Sequence, residues 1–72
     1  MKTVDMVRMA NQIAVNLQAY GDGAAAAVAD HIRSFWEARM RAALARHAES
    51  GGEGLHPLVI QAVRLLEAGK RA

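Results

Sequence analysis

Apolar residues recur at helical spacing in three segments of the chain. In the first segment, from about Val4 to Tyr20, steps of four and three residues place one set of side chains on a common face: Met6, Ala10, Ile13, Leu17 and Tyr20. Gly21-Asp22-Gly23 then interrupts the pattern with residues that favour a turn. The spacing therefore predicts a first helix over residues 4–20.

The second segment, from about Ala24 to Glu49, keeps the same spacing through an apolar stripe of eight residues: Ala25, Val28, Ala29, Ile32, Phe35, Trp36, Met40 and Ala43. Arg39 disturbs this stripe, because at 100° per residue it falls between Ile32 and Phe35. A guanidinium buried there without a partner is strongly unfavourable. Three interpretations stay open: the helix breaks near Trp36–Ala38, Arg39 binds an acceptor outside the chain, or its guanidinium reaches water at the edge of the stripe.

The third segment runs from about Pro57 to Ala68, and proline suits the first turn of a helix. Its stripe comprises Leu58, Ala62 and Leu65, with Val59, Val63 and Leu66 beside them. The pattern predicts an all-α fold, a small bundle of three to four helices with a break near Trp36–Ala38 as one interpretation. We expect a single helical domain over residues 1–72.

The size of the chain makes a solitary fold marginal. A domain of about 60–70 residues buries only about 60% of the surface that its unfolded chain exposes. Small domains usually depend on disulfides, a metal or a partner, and the 72 residues include no cysteine. We therefore expect a protein partner, and self-association through the apolar faces when the chain is isolated.

The sequence offers no convincing catalytic, cofactor-binding or metal-binding constellation. Its three histidines, His31, His47 and His56, share no recognised ligand spacing, so structural roles are favoured over metal binding. His47 lies near a helix end and His56 precedes a helix start. The two serines lack the context of a nucleophile, and the glycines match no phosphate-binding loop. The sequence thus predicts a protein that is not an enzyme and holds no cofactor.

The charge of the chain is mildly basic, with a formal net charge of +2. The arginines of the middle segment scatter around the helix axis and alternate with acidic residues: Arg33, Arg39, Arg41 and Arg46. A DNA-recognition helix gathers its basic residues on one exposed side. A solvated helix face is therefore favoured, and a small helical DNA-binding regulator is kept as the alternative function.

Neither an N-terminal signal peptide nor a membrane span is apparent in the sequence. Residues 1–6 carry charge and no long apolar run, and no stretch approaches the roughly 18 uninterrupted apolar residues of a span. Together with the lack of cysteine, this pattern favours the cytoplasm and predicts no membrane partner.

Phe35 and Trp36 form the strongest local feature. Adjacent residues of a helix point about 100° apart, so one ring is expected in the core and the other near its margin. Trp, Arg and Met are enriched in protein interfaces. Trp36, with Arg39 and Met40 beside it, therefore has the composition of an interface anchor, although burial of both rings in the core is the open alternative.

Three stretches resemble the delta subunit of the molybdenum-containing, NAD-dependent formate dehydrogenases. Met9–Ala14 is similar to the opening motif of that family, Ala29–Trp36 followed by Arg39–Arg41 to its central motif, and Leu55–Val59 to its closing motif. Order and spacing agree over nearly the whole chain. The family usually has proline where this chain has Ala38, which implies two helices in the middle of the family fold.

The resemblance implies a non-catalytic, cofactor-free accessory subunit of a cytoplasmic formate dehydrogenase complex. It implies that the chain stabilises the complex or assists its assembly by binding the large, molybdenum-bearing subunit, while the cofactors lie on other subunits. We expect the partner contact to come from Asn11, Gln12, Trp36, Arg39 and Met40. Gln12 projects away from the apolar face of its helix, and Asn11 lies at the margin of that face.

Overall fold

The computed structural model describes the backbone of residues 2–71 and the side chains of residues 2–69. Helix α1 spans Thr3–Leu17, α2 spans Ala24–Phe35, α3 spans Ala38–Glu49 and α4 spans Pro57–Arg71, with a 3-10 segment at Gln18–Gly23. The predicted all-α class is confirmed. Within the described range, none of the helices is both long enough and apolar enough to cross a membrane.

The middle segment consists of two helices, in agreement with the interpretation that it breaks near Trp36–Ala38. Trp36 and Glu37 are extended, with φ/ψ of −93°/138° and −66°/155°. One continuous helix over residues 24–49 would be about 39 Å long, whereas the longest extent of the fold is 29 Å. The two extended residues fold the segment back on itself and move Arg39 out of the apolar stripe to an exposed position.

The end of the first helix differs from the prediction. The α-helix stops at Leu17, and Tyr20, expected on the buried face, is 65% exposed. Gly21 explains the difference, because its φ of 61° lies in the left-handed region and interrupts the helical backbone. At the other end of the chain, α4 continues beyond the predicted Ala68 to Arg71.

Helix α2 lies at the centre of the fold and makes its most extensive helix–helix contacts with α4 and then with α1. The largest fully buried side chains are Val28, Ile32, Leu44 and Val59. Much of the remaining core is alanine, in particular Ala10, Ala14 and Ala62, and these small side chains allow the helices to approach closely. The core is therefore compact but contains few large side chains, and alanine contributes little buried apolar area.

Candidate partner-binding surface

The two adjacent aromatic rings take opposite positions. Trp36 is only 7% exposed and belongs to the core, whereas Phe35 is 74% exposed. The reason is the end of α2: Phe35 is its last helical residue, and the extended backbone of Trp36 turns the indole inwards. The Phe35 ring packs against His31 with ring centroids 4.7 Å apart. Trp36, predicted as an interface anchor, therefore exposes only an edge, and Phe35 is the aromatic ring left at the surface.

That edge lines a shallow apolar hollow between α1 and α2, which we call the Trp36 hollow. It is formed by Met9, Gln12, Ile13, Asn16, Leu17, His31 and Trp36. Gln12 is exposed on its rim, and its side-chain amide nitrogen Nε2 donates a hydrogen bond to Asn16 Oδ1 at 3.1 Å. The structure thus brings together two of the predicted contact residues, Gln12 and Trp36, in a mainly apolar setting.

Two further predicted residues, Arg39 and Met40, line a second depression between α1 and α3. This Arg39 depression is formed by Thr3, Met6, Arg39, Met40, Ala43, Arg46, His47 and Ser50. Met6 is buried, and Met40 and Ala43 are half-buried against the core. The depression therefore combines an apolar floor with exposed guanidinium groups, and none of its lining residues is acidic.

Asn11, the fifth predicted residue, uses its side chain inside the chain. Its Nδ2 donates to the carbonyl oxygen of Gly54 at 2.8 Å, and its Oδ1 accepts the backbone N–H of His56 at 2.8 Å. These two bonds fasten α1 to the loop before α4, across more than forty residues of sequence. Both the nitrogen and the oxygen of the half-buried Asn11 amide are hydrogen-bonded within the fold. Asn11 therefore acts here as a structural residue.

The histidines near the same loop also support the fold. His47 Nε2 donates to the carbonyl oxygen of Glu53 at 2.8 Å, and His56 Nδ1 accepts the backbone N–H of Leu58 at 3.0 Å. The second bond is that of an N-cap side chain at the start of α4. Sequence reasoning placed His56 at a helix start but did not find this bond. Among residues 2–69, no group of three His, Cys, Asp or Glu side chains is arranged to hold a metal ion.

The arginines of the middle segment fall into two pairs. Arg33 forms an ion pair with Asp30 at 2.6 Å, and Arg41 Nη1 donates to the carbonyl oxygen of Arg33 at 3.0 Å, near the end of α2. In contrast, the guanidinium groups of Arg39 and Arg46 form no hydrogen bond or ion pair with any described residue, and both line the Arg39 depression. Sequence reasoning missed this pairing because it projected all four arginines onto one continuous helix.

Comparison with known proteins adds a single finding. The family model described as NADH-dependant formate dehydrogenase delta subunit FdsD matches residues 5–63, which include most of the described chain. No curated protein and no solved structure matches the chain significantly. The matched range contains the Trp36 hollow, the bonds made by Asn11 and every residue of the Arg39 depression except Thr3.

Proposed function

Since this chain belongs to the family of NADH-dependent formate dehydrogenase delta subunits, we propose that it is a non-catalytic accessory subunit of such a complex in the cytoplasm. We propose that it stabilises the complex or assists its assembly by binding the large, molybdenum-bearing subunit. The observation that carries this proposal is the family match over residues 5–63. The small, alanine-rich core adds support, because a chain of this size gains stability from a partner.

The proposed contact surface consists of the Trp36 hollow and the Arg39 depression. Both border α1, and they are lined by residues on either side of the extended connection between α2 and α3. Gln12, the edge of Trp36, Arg39 and Met40 are the predicted residues that reach this surface. We add the exposed ring of Phe35, which stands beside the Trp36 hollow through its contact with His31.

Exposed apolar side chains support the related expectation that the isolated chain self-associates. Among residues 2–69, six large apolar residues have at least 39% of their surface exposed: Val4, Met9, Val15, Tyr20, Phe35 and Leu65. Association that covers such side chains removes apolar area from water, which is favourable. In the proposed complex, part of it is covered by the large subunit.

The alternative of a DNA-binding regulator has no comparable observation in its favour. Two of the four arginines in the middle segment are already engaged with Asp30 and with the end of α2. Of the four, Arg39 and Arg46 are left as a pair on α3, whereas a DNA-recognition helix gathers its basic residues along one exposed side.

Co-expression tests the proposed function directly. The chain is expressed together with the other subunits of the formate dehydrogenase, and the complex is purified through an affinity tag on the large subunit. We expect the chain to co-purify with that subunit in a constant ratio through size-exclusion chromatography. If the remaining subunits assemble and the chain does not accompany them, the proposed function is wrong.

A further inference from the structure

Resting on the proposed function, we infer that the Arg39 depression binds an acidic segment of a partner subunit, in which carboxylates flank an apolar side chain. Charge complementarity is the basis of this inference. The lining residues include two exposed arginines and no carboxylate. Two neighbouring hollows of the described surface differ in this respect.

In the two neighbouring hollows, arginine side chains either have partners within the chain or are absent from the lining residues. In the hollow between α3 and α4, Arg33 and Arg41 are held by Asp30 and by a helix-end carbonyl, and Glu67 lies among the lining residues. The Trp36 hollow contains no arginine, lysine or carboxylate. The Arg39 depression is thus the one site of these three in which guanidinium groups have no partner among the described residues.

The spacing of the two arginines limits the shape of the partner segment. Arg39 and Arg46 lie seven residues apart on α3, which places them on the same face with a separation of about 10 Å along the helix axis. Neither forms an ion pair with Glu37 or Glu49, the nearest acidic residues along the chain. Between them lies the apolar floor of Met40 and Ala43. Two carboxylates about 10 Å apart, with an apolar side chain between them, would complement this arrangement.

Guanidinium groups suit such a contact because they donate in a fixed fork that matches the two oxygens of a carboxylate. An arginine at the rim of an interface mainly affects the association rate and its dependence on salt, whereas an arginine covered by the partner also slows dissociation. The inference therefore predicts that reversing the charge of Arg39 or Arg46 lowers the affinity of the chain for the complex. It also predicts that the affinity of these variants depends less on ionic strength than that of the wild-type chain.

The test compares single charge reversals of equal size. Arg39→Glu and Arg46→Glu alter the depression, and Arg64→Glu is the matched control, because Arg64 is exposed on α4 and lines none of the three hollows. Affinity of each purified chain for the complex lacking the chain is measured at low and at high ionic strength. Arg39→Gln is included, since it removes the charge without introducing a new one, and circular dichroism verifies that each variant is folded.

We expect Arg39→Glu and Arg46→Glu each to weaken binding by at least about tenfold at low ionic strength. Arg64→Glu should change it by less than about twofold. If the wild-type chain binds and both charge-reversal variants bind with the wild-type affinity, the inference is overturned while the proposed function stands. If wild-type chain fails to bind at any ionic strength, both are overturned. Salt-sensitive binding of a duplex DNA probe that Arg39→Glu abolishes, or self-association that it abolishes, would assign the depression to a different occupant and overturn the inference.

Discussion

The loop before α4 and the connection between α2 and α3 differ in whether the polar side chains around them form hydrogen bonds within the chain. Around the loop, the side chains of Asn11 on α1, His47 on α3 and His56 in the loop itself all form hydrogen bonds with backbone groups of the chain. At the α2–α3 connection, the indole of Trp36 anchors the backbone in the core, whereas the guanidinium of Arg39, near the start of α3, forms no hydrogen bond or ion pair with any described residue. The loop is stabilised by the fold alone, whereas the connection leaves groups available to another molecule.

This contrast separates two kinds of motif residue. Asn11 and His56 lie in the stretches that resemble the opening and closing family motifs. The Asn11 side chain accepts the backbone N–H of His56 at 2.8 Å, and the His56 side chain accepts the backbone N–H of Leu58 at 3.0 Å. Their role in folding is sufficient to account for both residue types. Arg39 lies in the central stretch, but no hydrogen bond or ion pair within the described residues accounts for its guanidinium. A family motif therefore does not identify a binding residue until the bonds of that residue inside the fold are known.

The largest expected effect concerns the anchor of the α2–α3 connection. Trp36→Ala should lower the free energy of unfolding of the isolated chain by about 3–5 kcal/mol, because it removes a large buried aromatic side chain from a small core. Urea unfolding followed by circular dichroism measures the change. For a chain of marginal stability, a loss of this size means that the variant is largely unfolded without urea.

The neighbouring ring provides the matched control. Phe35→Ala should change the free energy of unfolding by less than about 0.5 kcal/mol, because Phe35 is 74% exposed. A larger loss of unfolding free energy from Phe35→Ala than from Trp36→Ala would mean that Phe35 lies in the core and Trp36 at the surface. The proposed assignment of the two rings would then be wrong.

The next effect concerns the polar bonds of the loop. Asn11→Ala should cost about 1–3 kcal/mol of folding free energy, because it leaves the carbonyl of Gly54 and the N–H of His56 without their partner. Asn11→Asp is the sharper variant: it keeps the acceptor for His56 but places a carboxylate oxygen against the carbonyl of Gly54. We expect it to be no more stable than Asn11→Ala in thermal and urea unfolding.

Gln12→Ala is the control for this pair, since Gln12 is the next residue along α1 and is exposed. Its only described side-chain bond joins it to Asn16 on the same helix, so we expect a change in stability below about 0.5 kcal/mol. If Asn11→Ala leaves stability unchanged and instead weakens binding to the complex, Asn11 is a contact residue and the fold does not depend on it.

Helical periodicity was sufficient to predict the all-α class and most of the core. Met6 and Ala10 on α1 and Val28 and Ile32 on α2 are buried, on the face that the spacing indicates. The position of Arg39 in the apolar stripe suggested a break as one of three interpretations, because burying an unpaired guanidinium is strongly unfavourable. The structure contains that break.

Features that depend on contacts distant in sequence could not be predicted. The exposure of Tyr20 follows from the positive φ of Gly21. The burial of Trp36 follows from the extended backbone of Trp36 and Glu37, and no proline marks this position in the sequence. The bonds of Asn11 join residues more than forty positions apart. The partner-contact residues remain a prediction, because local pattern does not tell whether a polar group finds its partner within the chain.

The smallest expected effect distinguishes two arginines of the same helix. In the isolated chain, Arg41→Ala should lower the free energy of unfolding by about 0.5–1 kcal/mol, because the Arg41 guanidinium donates to the carbonyl of Arg33 near the end of α2, where positive charge is favourable. Arg39→Ala should leave stability unchanged or raise it slightly, since Arg39 is exposed and alanine is the better helix former. Binding to the complex should show the reverse order, with Arg39→Ala the more damaging substitution. Measuring both quantities for both variants decides the matter: if Arg39→Ala destabilises the isolated chain as much as Arg41→Ala does, Arg39 has an internal partner, and the difference between the two pairs of arginines disappears.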